Sequence, residues 1–227
     1  MKMNLAATCC IALVALVSCA IGAEDAKKAA EDASFRSDFK VDERNLVSTG
    51  RNKYFILEPG FQLVLEGKEK GKNLRLEITV LAETKKIGNV ETRVVEENET
   101  TDGKQTEKSR NYFAIDKTTQ DVYYFGEDVG GAWQSGEDGA KFGLMMPGTV
   151  KVGDKYYQEI SKKAQDRALN VSVSETVTTP AGTFKDCVKI EETTPLEPGE
   201  KEFKYYAPEI GMVKYGDMVL VKYGKVK

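Results

Sequence analysis

Residues 61–80 read FQLVLEGKEKGKNLRLEITV, and their alternation decides the fold. Phe61, Leu63 and Leu65 fall on one side of an extended chain, with Gln62 and Glu66 on the other. Leu74, Leu76, Ile78 and Val80 repeat the pattern against Arg75, Glu77 and Thr79. Successive side chains leave a pleated backbone on opposite faces. An apolar residue at every second position therefore marks a strand with one face buried. The charged link EGKEKGK (66–72) reads as a solvated turn that also protects a sheet edge.

The same period continues outward from this stretch. Leu169, Val171, Val173 and Val177 alternate with Asn170, Ser172, Ser174 and Thr176, which predicts a strand with the valines facing the core. Asp102-Gly103 is a favoured hairpin pair, because both central positions of such a turn need positive φ. Pairing outward from it opposes Glu97 to Lys108, Thr92 to Phe113 and Val90 to Ile115, so a long hairpin with a polar tip should project from the core. Gly216-Asp217 would bring Tyr215 to Met218 and Val213 to Leu220. Val219, Val221 and Tyr223 then lie on the other face, and these last strands should be covered on both sides. Pro180-Ala181-Gly182 supplies a further turn. Strict alternation after it puts Cys187 with Lys185 and Lys189, and a bulge near Asp186 would bury it. No window after residue 41 carries a helical repeat. The expected fold is all-β, with at most a minor helical part. It is an antiparallel meander forming a strongly curved sheet or partly open barrel, in one domain over residues 46–227.

Ahead of that domain lies an address. Lys2 precedes an unbroken small and apolar run from Leu5 to Val17, the length of a signal-peptide core and too short to span a bilayer. The run ends in Leu16-Val17-Ser18-Cys19, which resembles the bacterial lipobox. The resemblance implies a lipoprotein signal peptide over 1–18 and lipid modification of Cys19. Ordinary cleavage after residue 22 or 23 is the alternative. Residues 19–45 read as a charged tether. The chain should therefore be exported to a bacterial cell envelope and held at the membrane by its lipid, or be secreted or periplasmic if Cys19 stays unmodified. Cys9, Cys10 and Cys19 belong to the leader, so Cys187 stands alone in the domain and has no disulfide partner there.

Composition narrows the chemistry. The 227 residues contain no His, which excludes Ser-His-Asp and Cys-His triads, His zinc ligands and a histidine base. With 33 basic and 36 acidic residues the net charge is −3, which gives no footprint for nucleic acid. Attention falls on DVYYFGEDVGGAWQSGEDGAKFG (121–143), with the sole Trp, six glycines and five acids. It reads as a long loop of the kind that binds ligands or packs on itself.

Pieces in and after this segment carry a resemblance. Tyr124-Phe125-Gly126-Glu127, Gly136-Glu137-Asp138-Gly139-Ala140, Met146-Pro147, Val152-Gly153-Asp154, Tyr157-Gln158-Glu159 and Ala164-Gln165-Asp166 look like a family of exported bacterial proteins of unknown function. Pro180-Ala181-Gly182-Thr183-Phe184, Cys187, Tyr206-Ala207-Pro208 and Gly211-Met212-Val213 resemble a wider group of exported β-sheet lipoproteins. Together they cover about residues 105–215. Tyr123 or Tyr124 stands where such proteins tend to show Trp, and Thr119-Gln120 where they show a Gly-Asn turn. The resemblance implies an exported antiparallel fold and brings no catalytic residues.

The segment supports several readings. As structure, the aromatic residues pack and the acids are solvated or cap backbone N–H groups. As a binding cleft, Tyr123, Tyr124, Phe125 and Trp133 offer flat apolar faces to a hydrophobic or carbohydrate ligand, and Glu127 or Asp138 fixes a polar group. As a cation site, Glu127, Glu137, Asp138 and Asp166 could supply oxygen ligands to calcium, the one ion considered for a chain that otherwise calls for no cofactor. As a hydrolase, paired carboxylates such as Glu127 and Glu159 would serve as acid and base. The expected function is a non-catalytic binding or scaffold module of an envelope lipoprotein. The alternatives are a secreted calcium-binding structural protein and a carboxylate-dependent hydrolase.

Overall fold

A computed structural model describes residues 33–128 and 132–226. The signal peptide, both cleavage alternatives, Cys19 and most of the tether lie outside the described residues. Residues 36–227 form one compact unit.

The architecture is antiparallel β almost throughout. Among the described residues one 3₁₀ turn, Glu43–Asn45, precedes the strands, and the Asp42 side chain caps its Arg44 N–H. The strands are β1 (Leu46–Val47), β2 (Gly50–Asn52), β3 (Phe55–Leu57), β4 (Phe61–Glu69), β5 (Lys72–Ile87), β6 (Val90–Thr101), β7 (Lys104–Asp116), β8 (Val122–Glu127) and β9 (Trp133–Gln134). After them come β10 (Lys141–Met146), β11 (Lys155–Tyr157), β12 (Glu159–Ile160), β13 (Arg167–Thr179), β14 (Gly182–Thr193), β15 (Glu202–Ala207), β16 (Gly211–Tyr215) and β17 (Met218–Lys225). The main sheet runs β11-β13-β14-β15-β16-β17-β4-β5-β6-β7-β8-β10-β12, with β1 and β9 as side pairings.

The two ends of that path are β11 and β12, and Gln158 alone separates them in the chain. The sheet therefore curls back on itself as a nearly closed barrel with one unsealed seam. The segment 155–160 makes the turn of allegiance. Tyr156 pairs with Ala168 on β13, whereas Glu159 pairs with Phe142 on β10. Gly143 permits this crossing, because a Cβ there would sit 2.4 Å from the carbonyl oxygens of Tyr157 and Gln158. A strap crosses the seam from outside. Arg36 exchanges backbone hydrogen bonds with Lys155 and Tyr157, and Phe39 packs edge-on against Tyr123 of β8 at 6.0 Å.

The hairpin of β2 and β3 closes one end of the barrel. Asn52 is fully buried and donates through Nδ2 to the carbonyls of Gln120 and Pro147, while its Oδ1 accepts from the Tyr54 amide. Leu57 is also fully buried. Above this floor the core gathers the alternating side chains of the central strands. Leu63 faces Ile78, Leu65 faces Leu76 and Leu220, and Val80 faces Val95, as the reading of 61–80 predicts.

Four local expectations need correction. The Asp102-Gly103 turn forms, with Thr101 opposite Lys104, but a bulge follows between Glu99 and Thr100. The register beyond it moves by one residue, so Glu97 opposes Ser109, Lys108 opposes Asn98, and Arg93 opposes Phe113. Lys108 bonds Glu96 at 3.0 Å instead, and Glu97 turns to the interior. The hairpin does not project, because β5 runs beside it to the tip, where Leu74 pairs Thr101. On β13 the first half is reversed from expectation, with Ala168 and Asn170 buried and Val171 and Val173 exposed; past the irregularities that follow Asn170, Val177 is buried as expected. On β17, Tyr215 meets Met218 as expected, but the outer face is only partly covered. Phe184 packs on Tyr223, which stays exposed. Around Cys187 the bulge is present: Asp186 takes φ +53°, and the thiol is fully buried. Burial, with Asp186 and Glu175 adding to it, pushes the thiol up to about 11.

Candidate functional site

Glu127, Tyr123, Tyr124 and Phe125 belong to β8, and Trp133 to β9, so the aromatic part of the segment 121–143 is strand where a long loop is expected. The two faces of β8 do different work. Tyr123 and Phe125 point to the outer side, where both pack on Phe142, at 5.7 and 4.8 Å. Tyr124 points inward, stacks on Phe113 at 4.8 Å, meets Trp133 edge-on at 5.1 Å, and donates to Asn111 at 2.5 Å. Trp133 is buried and its Nε1 has no hydrogen-bond partner among the described residues. Tyr123, Phe125 and Trp133 are thus buried against neighbouring rings, and Tyr124 is half-buried.

The four carboxylates considered for calcium separate. Glu127 and Asp166 lie within electrostatic reach of each other. Glu137 and Asp138 sit on the exposed turn between β9 and β10, where Glu137 accepts from Gln134 at 2.7 Å and Asp138 takes φ +49°. Among the described residues no group of three or more His, Cys, Asp or Glu could hold a metal ion.

A different set of residues converges inside the barrel. Alternation along β6 puts Val95, Glu97 and Glu99 on one side, Val95 and Glu97 bordering one cavity and Glu99 another. Across the lumen, Lys204 and Tyr206 of β15 sit opposite Ile190 and Val188 of β14, with Glu192 one step further along. Lys204 Nζ lies 2.5 Å from Glu192 Oε2 and 5.0 Å from the centre of the Tyr215 ring. The other Glu192 oxygen accepts from Gln158 Nε2 at 2.9 Å, which ties the ion pair to the seam. Glu159, also at the seam, is 1% exposed and accepts the Asp166 amide at 2.6 Å.

The interior is layered. Near the floor a cavity of about 50 Å³ is walled by apolar side chains such as Phe61, Ile78, Val95 and Met212, with Glu97 and Tyr206 as its polar members. That is room for a few waters and not for an acyl chain. Nearer the open end are two wider clefts. One, of about 320 Å³, includes Asp166, Glu192, Glu202, Lys204 and Tyr215; the other, of about 690 Å³, has charges of both signs, with Glu99, Glu202 and Asp217 beside Lys201 and Lys214. They share the wall formed by Glu202 and Tyr215, whose hydroxyl donates to Glu202 at 3.0 Å. The Tyr206 hydroxyl is buried and has no hydrogen-bond partner among the described residues.

This convergence alters the acids. Burial, opposed by Lys204 and reinforced by Glu99, Glu192 and Glu107, raises Glu97 from the ordinary 4.5 to about 7. Burial together with Glu97 and Glu107 also raises Glu127 to about 7. Glu99, Glu159 and Asp166 move upward as well, burial being the main cause in each. Burial works against the charge on Lys204, yet Glu192 beside it holds the ammonium well above the usual lysine range. Carboxylates of β6, β8, β12 and β14 therefore lie within electrostatic reach of one another, and Lys204 pairs with the last of them, Glu192. Sequence reasoning named Glu127, Glu159 and Asp166 but missed Glu97, Glu99, Glu192, Lys204 and Tyr206. Period-2 alternation gives no mark that tells an inward acid from an outward one.

Residues 144–217 match the family model described as DUF3108-like. This stretch overlaps the region, about 105–215, whose motifs resemble exported bacterial proteins. No curated protein matches the chain. A crystal structure from Parabacteroides distasonis ATCC 8503, described provisionally as a lipoprotein, is similar at 16% identity with a TM-score of 0.44. The match covers 77% of this chain and all of that one.

Proposed function

We propose that the protein is an exported lipoprotein of a bacterial envelope, anchored through Cys19, whose barrel interior is a non-catalytic binding site. The leader supports the location, since an apolar run ending in Leu16-Val17-Ser18-Cys19 fits export followed by lipid attachment. One observation carries the binding reading: the chain spends buried, ionisable side chains on the interior of its barrel. Apolar residues would fill that space at lower cost, because burying charge without full pairing is unfavourable. Groups held at such a cost in a recess are candidates for a functional site. With no His in the chain and Glu159 sealed by the Asp166 amide, the chamber offers recognition in place of chemistry.

Two measurements test this. Fatty-acid labelling of cells should mark the wild-type protein and fail with Cys19→Ala; labelling that survives the substitution would remove the anchor. Native mass spectrometry of the full chain extracted from envelopes should show a non-covalent small-molecule adduct. Glu99→Phe, which places a ring in the wide cleft, should abolish it while preserving the melting temperature. A wild-type spectrum with no adduct would contradict the binding role.

A further inference from the structure

We propose that the strap of residues 36–41 is a latch on the barrel: it clasps the joint between β10 and β12, and its release lets the wall open beside Glu192. The inference goes beyond the binding reading and stands without it, because opening is measured on the protein alone.

The joint is the weak link of the sheet. β12 meets β10 through two residue pairs, Lys141 with Ile160 and Phe142 with Glu159, whereas β6 and β7 pair from Arg93 and Phe113 out to Thr101 and Lys104. So short a ladder lies at the low end of local stability. The strap runs alongside it. On one side Arg36 forms a parallel bridge to Tyr156 of β11; its N–H donates to the Lys155 carbonyl at 3.0 Å, and its own carbonyl accepts from the Tyr157 N–H at 2.9 Å. On the other side Phe39 lies against Tyr123 of β8. Residues 36–39 therefore tie β11 to β8 and bypass the joint.

The catch is aromatic. Tyr123 lies on the outer side of β8 yet is only 6% exposed, because Phe39 covers it from the strap and Phe142 from β10. Phe142 also stacks on Phe125, and it is the β10 residue that pairs with Glu159. The rings of 121–143 thus give the strap a foothold next to the joint. Edge-on pairs of this kind add stability beyond the area they bury.

The strap is built to let go. Ser37, Asp38 and Lys40 are exposed, and a cleft of about 250 Å³ lies between the strap and the turn joining β9 to β10, with Ser37, Phe39, Gly136 and Phe142 on its walls. The far end is fixed: Val41 packs on the core, and the 3₁₀ turn Glu43–Asn45 leads into β1. The strap swings about that end once one ring contact and two backbone hydrogen bonds are lost. Behind it Gln158 donates to Glu192 at 2.9 Å, so a joint that parts carries this bond away and opens the wall there.

The test is amide exchange of the full chain in detergent micelles, read residue by residue by NMR. Phe39→Ala should speed exchange of Tyr157 and of the β12 amides by about tenfold, the size of one aromatic contact, with Leu65 and Leu76 unchanged. Arg36→Pro lacks the N–H that Lys155 accepts and should act in the same direction. Lys40→Ala, exposed on the same strap, should match wild type. The latch is overturned if β12 exchanges at the wild-type rate in Phe39→Ala. It is equally overturned if acceleration is confined to Tyr157, which is a strap fraying from a closed barrel, or if Leu65 and Leu76 accelerate as much, which is a loss of overall stability. The selective acceleration with no adduct in native spectra would keep the latch and reject the binding reading alone.

Discussion

Lys204 and Glu192 form an ion pair at 2.5 Å inside the barrel, on the paired strands β15 and β14. The side chains are 19% and 7% exposed, so water does little to screen the pair. Through its second oxygen, Glu192 also holds Gln158 at the point where the sheet closes. The pair thus joins the chamber to the seam.

Removing one partner should be costly. Lys204→Met leaves the Glu192 carboxylate buried and unpaired, and should lower stability by about 3–5 kcal/mol in urea unfolding. The double replacement Lys204→Met/Glu192→Leu should recover much of that loss, because an apolar pair needs no hydration. A single-variant loss below about 1 kcal/mol would show that the pair is screened.

Stability should fall as pH rises through neutrality. Glu97 and Glu127 sit at about 7 in the fold, above the ordinary 4.5, so the folded state holds protons that the unfolded chain releases. A raised carboxyl contributes stability that is complete below about 4.5 and is lost as pH climbs through about 7. The melting temperature should therefore drop between about pH 5 and about pH 8, and Glu97→Gln should flatten the slope. A melting temperature that rises over this interval would contradict the burial of these acids.

The seam should tolerate no side chain at Gly143. A Cβ there meets the backbone of Gln158 at 2.4 Å, and backbone cannot swing aside as a side-chain tip can. Gly143→Ala should cost about 1–3 kcal/mol and speed amide exchange in 155–160 ahead of the rest of the sheet. Uniform exchange across the molecule would argue against a seam.

Trp133 should be a silent reporter. It is buried, and its ring nitrogen has no partner to lose among the described residues. Its fluorescence should resist acrylamide quenching, and Trp133→Phe should cost less than about 1.5 kcal/mol beyond its lost area. Strong quenching in the native state would place the ring at the surface and revive it as a ligand contact.

The fold was legible where one face is apolar and the turn chemistry is strict. Leu63, Leu65, Leu76 and Ile78 announce their face, and Asp102-Gly103 and Gly216-Asp217 announce their turns. Bulges were the obstacle. One extra residue on β7, between the partners of Thr100 and Glu99, shifts every later pairing by one, and no residue type marks the spot. Glu97 looked like a solvated hairpin acid opposite Lys108, whereas it shares the inward side of β6 with Val95 and opposes buried Ser109. The aromatic and glycine-rich segment 121–143 attracted attention by composition, yet its rings pack the wall. The chamber's acids are scattered from residue 97 to 202, and closure of the sheet alone brings them together.

The most direct measurement is the pH titration of the Glu97 and Glu127 side-chain carboxyls by ¹³C NMR. Their burial inside the barrel should give midpoints near 7. Midpoints near 4.5 would mean that these acids face water and would contradict an interior lined by buried carboxyls.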